Sequence, residues 1–243
     1  MTAGGLDASI SLEAVFAPVR SQTAFEETLD RLGTAIKLGL LAPGERLPAE
    51  RELCSRLGIA RSTLRQALTA LTQSGRLHAV RGRGGGTFVA VAPPAAAPLT
   101  AADLAGWREV CDQRFVVEVG VVALAARRGD PDALEGLDAL VVAMDDRTED
   151  FPAYRAADVR FHIGLAEAVG SGRVVTAMTE VTALMTDLIG HIAHPPEVLR
   201  HANAQHARLL SAIRAGDPGH ALAVMGEHLA GTEHVLAGLL PPG

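Results

Sequence analysis

The sequence predicts a mainly α-helical protein in two parts: an N-terminal winged helix-turn-helix with a small β-hairpin wing, and a C-terminal antiparallel all-α bundle. Three observations support this fold class. Hydrophobic residues make up 48% of the 243 residues and aromatic residues only 3%, a composition that favours aliphatic helices. Apolar residues recur at helical spacing in most long segments. Two short β-prone runs around RGRGGG are the exception.

Charge is divided unevenly along the chain. Between residues 20 and 90, eleven Lys and Arg stand against six Asp and Glu, whereas the other residues hold eleven against twenty-two. A basic segment within a chain of net charge −6 is typical of a nucleic-acid-binding module joined to a second domain. We therefore expect a flexible arm over residues 1–20, a winged helix-turn-helix domain over 21–91, a linker over 92–99 and a helical domain over 100–243.

Helical periodicity and turn residues predict the first two helices. Residues 23–40 repeat apolar side chains at helical spacing, and the sequence APG at 42–44 ends this helix. Residues 48–57 are expected to form the second helix. Pro48 suits its first turn, and Gly58 allows a left-handed cap and a sharp turn after it.

A third helix and a hairpin complete the predicted winged domain. The helix begins near Arg61 and carries a buried stripe at positions i, i+3, i+4 and i+7, made up of Leu64, Ala67, Leu68 and Leu71. RLHAV and TFVAV then flank the glycine-rich turn RGRGGG. These two runs predict a β-hairpin with a basic tip.

The other side of the third helix predicts contact with DNA. The stretch AERELCSRLGIARSTLRQAL carries four arginines in an acidic chain. Arg61 and Arg65 lie on the N-terminal half of the helix, which is the half that reaches base edges in the major groove. A guanidinium can donate two parallel hydrogen bonds to guanine, so we expect both to read bases. Arg56 is expected to be a surface residue or at most a phosphate contact.

Neighbouring residues extend this predicted interface. Arg51 is placed to meet a base edge or a phosphate, and Ser62 and Thr63 offer hydroxyl and N–H groups to phosphates. Arg81 at the hairpin tip can enter a minor groove, because Gly82 lets the backbone come close. For any single arginine, a solvated basic surface is the alternative. Charge, turn, buried stripe and basic wing together favour DNA binding.

The second part of the chain is predicted to be entirely helical. Helical period is found at 114–128, 131–144, 153–168, 173–191, 198–215 and 218–240. Breaks fall at RGDP, GSG, HPP and AGDP. We expect six or seven helices in an antiparallel bundle.

Histidines concentrate in this second part, where eight of the nine follow residue 160. Asp158 and His162 lie four residues apart, so they project from the same side of one helix. A carboxylate and an imidazole together can bind a divalent metal such as zinc. His206 and His228 lie in amphipathic helices and could add ligands. Spacing alone leaves open whether these residues bind metal or are ordinary core and surface residues.

Other sequence features suggest a cytoplasmic protein that does not enter a membrane. Cys54 and Cys111 fit no paired-cysteine motif, so both are expected to be reduced thiols. The start of the chain lacks the basic region of a signal peptide. No apolar run reaches the ~18 residues that span a bilayer.

The N-terminal residues resemble those of a known family. LGLLAPGERLPAERELCSRLGIARSTLRQAL, with the later GRGGGTFV, closely resembles the DNA-binding domain of GntR-family bacterial transcription regulators in the FadR branch, over about residues 23–90. The resemblance implies that the predicted contact residues bind operator DNA. It also implies that a homodimer binds a palindromic operator. Ala60 departs from the usual Ser or Thr, so it is left out of the predicted interface.

Residues 105–236 resemble the FCD ligand-binding domain of the same branch. The matching motifs are RFVVE at 114–118, DVRFH at 158–162, HARLLSAIRAGD at 206–217 and AVMGEHL at 223–229. The resemblance implies a divalent metal held by Asp158, His162, His206 and His228, with zinc expected first and nickel or manganese also accepted. It implies a small organic-acid effector at the metal, with Arg114 as its partner. Ser171 departs from the usual Asn and alters the expected pocket wall.

Two functions from different classes follow from these features. The first is a transcription regulator, expected to be a repressor, whose operator binding is weakened by a small carboxylate bound at the metal. The second is a metal-dependent hydrolase with an accessory nucleic-acid-binding domain. The chain has no HExxH motif and no phosphate loop, and four protein ligands leave a tetrahedral zinc without an open position, although an octahedral ion would keep two. We therefore expect the regulator and no enzyme activity.

Overall fold

The computed structural model describes residues 23–82, 84–92, 106–190 and 194–239. These residues form two compact units. One unit holds residues 23–33 and 44–92, and the other holds residues 34–43 with the described residues from 106 onward. The predicted arm and nearly all of the predicted linker lie outside the described residues.

The first unit is a winged helix-turn-helix, as the sequence predicts. Its elements are α1 (Ala24–Lys37, whose last turn clusters with the second unit), α2 (Glu50–Leu57), α3 (Arg61–Gln73), β1 (Leu77–Val80) and β2 (Gly86–Val89). The predicted stripe on α3 is buried in full. Gly58 closes α2 with φ 66°, a left-handed conformation that glycine adopts without strain.

α2 begins two residues later than predicted. The N–H of Leu47 donates to the carbonyl oxygen of Thr87 at 2.9 Å, which holds this part of the chain extended beside β2. Ala49 then serves as the N-cap, and its carbonyl oxygen accepts from Leu53 at 3.0 Å. Pro48 therefore lies before the helix rather than in its first turn.

The wing is a two-stranded antiparallel sheet in which Leu77 lies opposite Val89. Its tight turn depends on Gly85, whose N–H donates to the carbonyl oxygen of Gly82 at 2.9 Å. A Cβ atom at Gly85 would lie 2.3 Å from the carbonyl oxygen of Val80. A larger residue there would therefore force the tip of the wing open.

The second unit contains six helices among its described residues. They are α4 (Trp107–Arg128), α5 (Pro131–Asp145), α6 (Phe151–Ala168), α7 (Gly172–Ile189), α8 (Pro196–Arg214) and α9 (Pro218–Leu239). α5 packs on α6, and α9 packs on both α4 and α8. Compared with the predicted segment 114–128, α4 extends back to Trp107. This residue is buried against Met185, Leu188 and Leu236.

Aspartate side chains cap the first turns of two helices in this bundle. The Asp130 side chain accepts from the N–H of Asp132 at the start of α5, and the Asp150 side chain accepts from that of Ala153 at the start of α6. These caps satisfy N–H groups that have no partner within the helix.

Among the described residues, no helix is both long and apolar enough to cross a lipid bilayer.

Candidate metal centre and DNA interface

Three histidines from three helices meet inside the bundle. His162 on α6, His206 on α8 and His228 on α9 are all buried, and one ring nitrogen of each lies within 4.8 Å of the others. Asp158 lies one turn before His162 on α6. Its Oδ1 atom is 3.7 Å from His162 Nε2 and 3.5 Å from His206 Nε2. The four predicted metal ligands are therefore neighbours in space.

This group of donors fits a divalent metal ion. Two ligands bonded to one ion at ~2.1 Å lie ~3–3.5 Å apart, close to the separations from Asp158 Oδ1. Both ring nitrogens of His206 and Nε2 of His162 are buried without a hydrogen-bond partner among the described residues. Buried polar atoms are rarely left so in folded proteins. A bound cation would satisfy them.

Two residues that the sequence did not single out orient these rings. Glu118 Oε2 lies 2.7 Å from His162 Nδ1, and Gln205 Oε1 lies 3.2 Å from His228 Nδ1. An oxygen acceptor at Nδ1 selects the tautomer with its proton there, which leaves the Nε2 lone pair for a metal. Glu118 is the last residue of the motif RFVVE at 114–118. That motif is the sequence feature from which the position of Glu118 in the site could have been inferred.

The two buried carboxylates are each paired with a guanidinium. Arg114 Nε donates to Glu118 Oε1 at 2.6 Å, and Arg155 Nη1 donates to Asp158 Oδ2. Burial raises the pKa of both carboxyl groups, but the neighbouring positive charges outweigh it and hold each pKa below its usual range. Asp158 is therefore ionised, with Oδ2 on Arg155 and Oδ1 facing the histidines.

Burial also keeps two of the imidazoles neutral. It lowers the pKa of His206 to about 3. Burial, with the nearby His206 and Arg114, lowers the pKa of His228 well below its usual range. A neutral imidazole is the form that binds a metal. Because the two carboxylates and two guanidinium groups cancel, a divalent cation would leave the site positively charged and would favour an anionic ligand.

Arg114, the predicted effector partner, lies in the wall of a cavity that reaches the histidine cluster at His228. The cavity has a volume of about 350 Å³ and also reaches Asp158, Gln205 and His228. Arg114 Nη2 lies 3.4 Å from His228 Nε2. A cavity of this size accommodates a small organic molecule.

The predicted DNA-contacting residues lie on the surface of the winged unit. Arg51, Arg61, Ser62, Arg65, Arg81 and Gly82 are exposed, and Thr63 is half-buried. They occupy the first turn of α2, the N-terminal half of α3 and the tip of the wing. Gly82 has φ 99° at this tip.

Arg65 is held by a salt bridge to the preceding helix. Its Nε donates to Glu50 Oε2 at 2.9 Å, with 68% of the Arg65 side chain exposed. An exposed pair contributes only ~0–1 kcal/mol, so DNA can replace it. Arg56 pairs instead with Glu52 of its own helix at 2.5 Å.

Both parts of the chain match descriptions of known protein families. Residues 25–89 match "Bacterial regulatory proteins, gntR family", and residues 109–231 match "FCD domain". The chain belongs to the GntR family of bacterial regulatory proteins. In this GntR-family chain, the FCD match contains Asp158 and all three clustered histidines.

Relatives of this GntR-family protein are named as regulators. A protein of Mycobacterium gastri named as HTH-type transcriptional regulator RmpR is 32% identical over 212 residues, covering 83% of this chain and 76% of the relative. A protein of Escherichia coli K12 named as L-lactate dehydrogenase operon regulatory protein is 30% identical over 219 residues, covering 84% and 83%. The structure of E. coli McbR/YncC is similar in fold, with a TM-score of 0.57, 19% identity and coverage of 90% and 99%. None of these relatives supports the hydrolase hypothesis.

The GntR-type recognition helix α3 begins without a side-chain cap. Its N-cap is Ala60, with φ −69° and ψ 150°, whose methyl side chain forms no capping hydrogen bond to the first N–H groups of the helix. The start of a helix favours anions such as phosphate. The departure at Ala60 therefore removes a cap hydroxyl and leaves these N–H groups open to solvent or DNA.

Glu118→Gln is expected to weaken metal binding by this GntR-family protein ~10–100-fold. The neutral amide keeps the shape of the side chain but removes the charge that orients His162 and makes it more basic. The metal dissociation constant, measured by competition with a chromophoric chelator, tests this. Glu109→Gln on the exposed surface of α4 is the matched control. Equal affinities of the two variants would contradict the orienting role.

Proposed function

We propose that this GntR-family protein is a repressor that binds a palindromic operator as a homodimer. We further propose that it releases the operator when a small carboxylate binds beside a divalent metal in the FCD domain. The observation that carries this proposal is the buried cluster of Asp158 and three histidines, which contains orphaned ring nitrogens and reaches a cavity through Asp158 and His228. Metal ligands beside a cavity are typical of a small-molecule site, and the GntR and FCD matches favour an effector as its ligand.

Asp158, His162, His206 and His228 would hold the ion. Zinc suits three imidazoles and a carboxylate, and nickel or manganese accepts the same donors. The ion would supply positive charge that attracts and polarises a carboxylate. Arg114 would donate hydrogen bonds to the same carboxylate, because its guanidinium lies beside His228 and lines the cavity.

Two further observations support a carboxylate and a dimer. The E. coli relative carries the name of an operon for L-lactate dehydrogenase, whose named substrate is a small carboxylate.

Phe115 and Val116 on α4 are 52% and 72% exposed, which is unusual for neighbouring apolar residues and suits an interface between subunits. Two-fold symmetry of the protein would require a palindromic operator, and the protein would act in the bacterial cytoplasm.

Titration with small carboxylates is expected to weaken operator binding by the metal-loaded protein ~5–150-fold, the usual range of allosteric coupling. Fluorescence anisotropy with DNA from upstream of the protein's own gene measures this effect at fixed salt. Operator affinity unchanged by every acid, at concentrations where binding to the protein is detected, would contradict the coupling. Turnover of generic esters or phosphates at the same protein concentration would instead favour the hydrolase.

A further inference from the structure

The cavity beside the histidine cluster has one polar end and one apolar end. Three helices each contribute a polar residue near the cluster and an apolar residue seven positions away: Asp158 and Phe151 on α6, Gln205 and Val198 on α8, and His228 and Val235 on α9. Seven residues make two helical turns, so the two residues of each pair face the same side ~10 Å apart. The cavity therefore runs along three helices, away from the histidines.

The far end of the cavity is lined by apolar and aromatic groups. Ile189 and Leu199 line it together with the apolar residues of the three pairs. Phe151 stacks on the His194 ring, with 3.4 Å between ring centroids and 7° between the planes. His194 Nε2 in turn lies 2.8 Å from the carbonyl oxygen of Ile189, so its polar edge is already in use.

Polar side chains along the cavity are also bonded within the protein. The Tyr154 hydroxyl donates to the carbonyl oxygen of Leu199 at 3.0 Å, and Gln205 Nε2 lies 3.3 Å from His201 Nε2. Glu197 Oε1 accepts from Arg200 at 3.0 Å. The hydroxyl proton of Tyr154 and one N–H of the Gln205 amide are therefore already in use, so a ligand hydroxyl in this part finds fewer free donors than it has in water, which disfavours polyhydroxylated acids.

We propose that the effector is a monocarboxylate with an apolar tail, either a medium-length alkyl chain or an aromatic ring on a short chain. This inference rests on the proposed function, which places the carboxylate between Arg114 and the metal ligands. The tail then extends along the cavity to Phe151, Val198 and Val235. A three-carbon hydroxy acid such as L-lactate would fill only the polar end of a cavity of about 350 Å³.

Calorimetric titration of the metal-loaded full chain with acetate, butyrate, hexanoate and octanoate tests the tail site. Each added methylene is expected to tighten the dissociation constant about two- to fourfold, as burial of apolar surface predicts. 3-Phenylpropionate distinguishes an aromatic tail from an alkyl one. L-Lactate and gluconate are expected to bind more than tenfold more weakly than the best acid of the series.

Two variants test whether the apolar tail of the acid binds in this cavity. Ala202→Leu fills the middle of the cavity, and Val235→Asn makes its far end polar. Both are expected to weaken octanoate binding at least tenfold and to leave acetate binding unchanged. Val142→Asn is the matched control, because Val142 is 62% exposed on α5 and does not line the cavity.

The outcomes separate this inference from the proposed function. Binding of short or hydroxylated acids without a gain from chain length would overturn the apolar-tail site and leave a carboxylate sensor standing. Binding of no acid at all would overturn both. Octanoate binding that is equally weakened by Val142→Asn would also overturn the assignment of the tail to this cavity.

Discussion

His206→Ala is expected to abolish stoichiometric metal binding and to lower the melting temperature of the metal-loaded protein by ~5–10 °C. His206 is fully buried, and both its ring nitrogens lack a hydrogen-bond partner among the described residues, so a metal ligand is the role that suits it. An ion at 100 times its dissociation constant adds ~2.7 kcal/mol to the free energy of unfolding. In a chain of this size, 1 kcal/mol shifts the melting temperature by ~2–4 °C.

Elemental analysis of the purified protein and thermal unfolding with and without EDTA measure both effects. In EDTA the difference between variant and wild type is expected to shrink, because only the loss of packing around residue 206 remains. His234→Ala is the matched control, since His234 is exposed on α9. Equal metal content in wild type and His206→Ala would remove His206 from the metal site.

Arg65→Ala is expected to weaken operator binding by ~1–3 kcal/mol, which is ~5–150-fold, and to relax base preference at one position. The reason is the loss of paired hydrogen bonds from a guanidinium to a base edge. The stability of the winged unit should change little, because the exposed pair with Glu50 contributes only ~0–1 kcal/mol. Anisotropy measurements on the operator and its single-base variants test the prediction.

Arg56→Ala is the matched control for this effect. It removes the same charge and a similar salt bridge, to Glu52 rather than Glu50. Its operator affinity should stay near that of the wild type at physiological salt. If Arg65→Ala weakens binding to all sequences equally, Arg65 contacts a phosphate, and the assignment to a base is wrong.

Much of the fold followed from local chemistry in the sequence. The α3 stripe from Leu64 to Leu71, the Gly58 turn and the break at Pro131 each act within a few residues, so their effect can be read from spacing. The predicted first residues of two helices differ from the structure, because contacts with residues distant in sequence determine where these helices begin. α2 starts late because Leu47 bonds Thr87 of the wing, and α4 starts early because Trp107 packs on α7 and α9.

The candidate metal site was predicted only in part for the same reason. Asp158 and His162 share one helical turn, which spacing reveals, whereas His206 and His228 needed the family resemblance to join them. Glu118 and Arg155 were missed because their roles depend on contacts between ionised side chains in the core. Sequence spacing places such residues near a site, but the contact between Glu118 and His162 requires the packing of α4 against α6.

The most direct test of coupling between the metal site and the operator is operator affinity with and without octanoate, in wild type and His206→Ala. Metal-loaded wild type is expected to lose operator affinity on addition of octanoate. His206→Ala is expected to bind operator without responding to the acid. By linkage, operator DNA must weaken octanoate binding to the wild type by the same factor. An equal octanoate response in the two proteins would contradict sensing through the metal site.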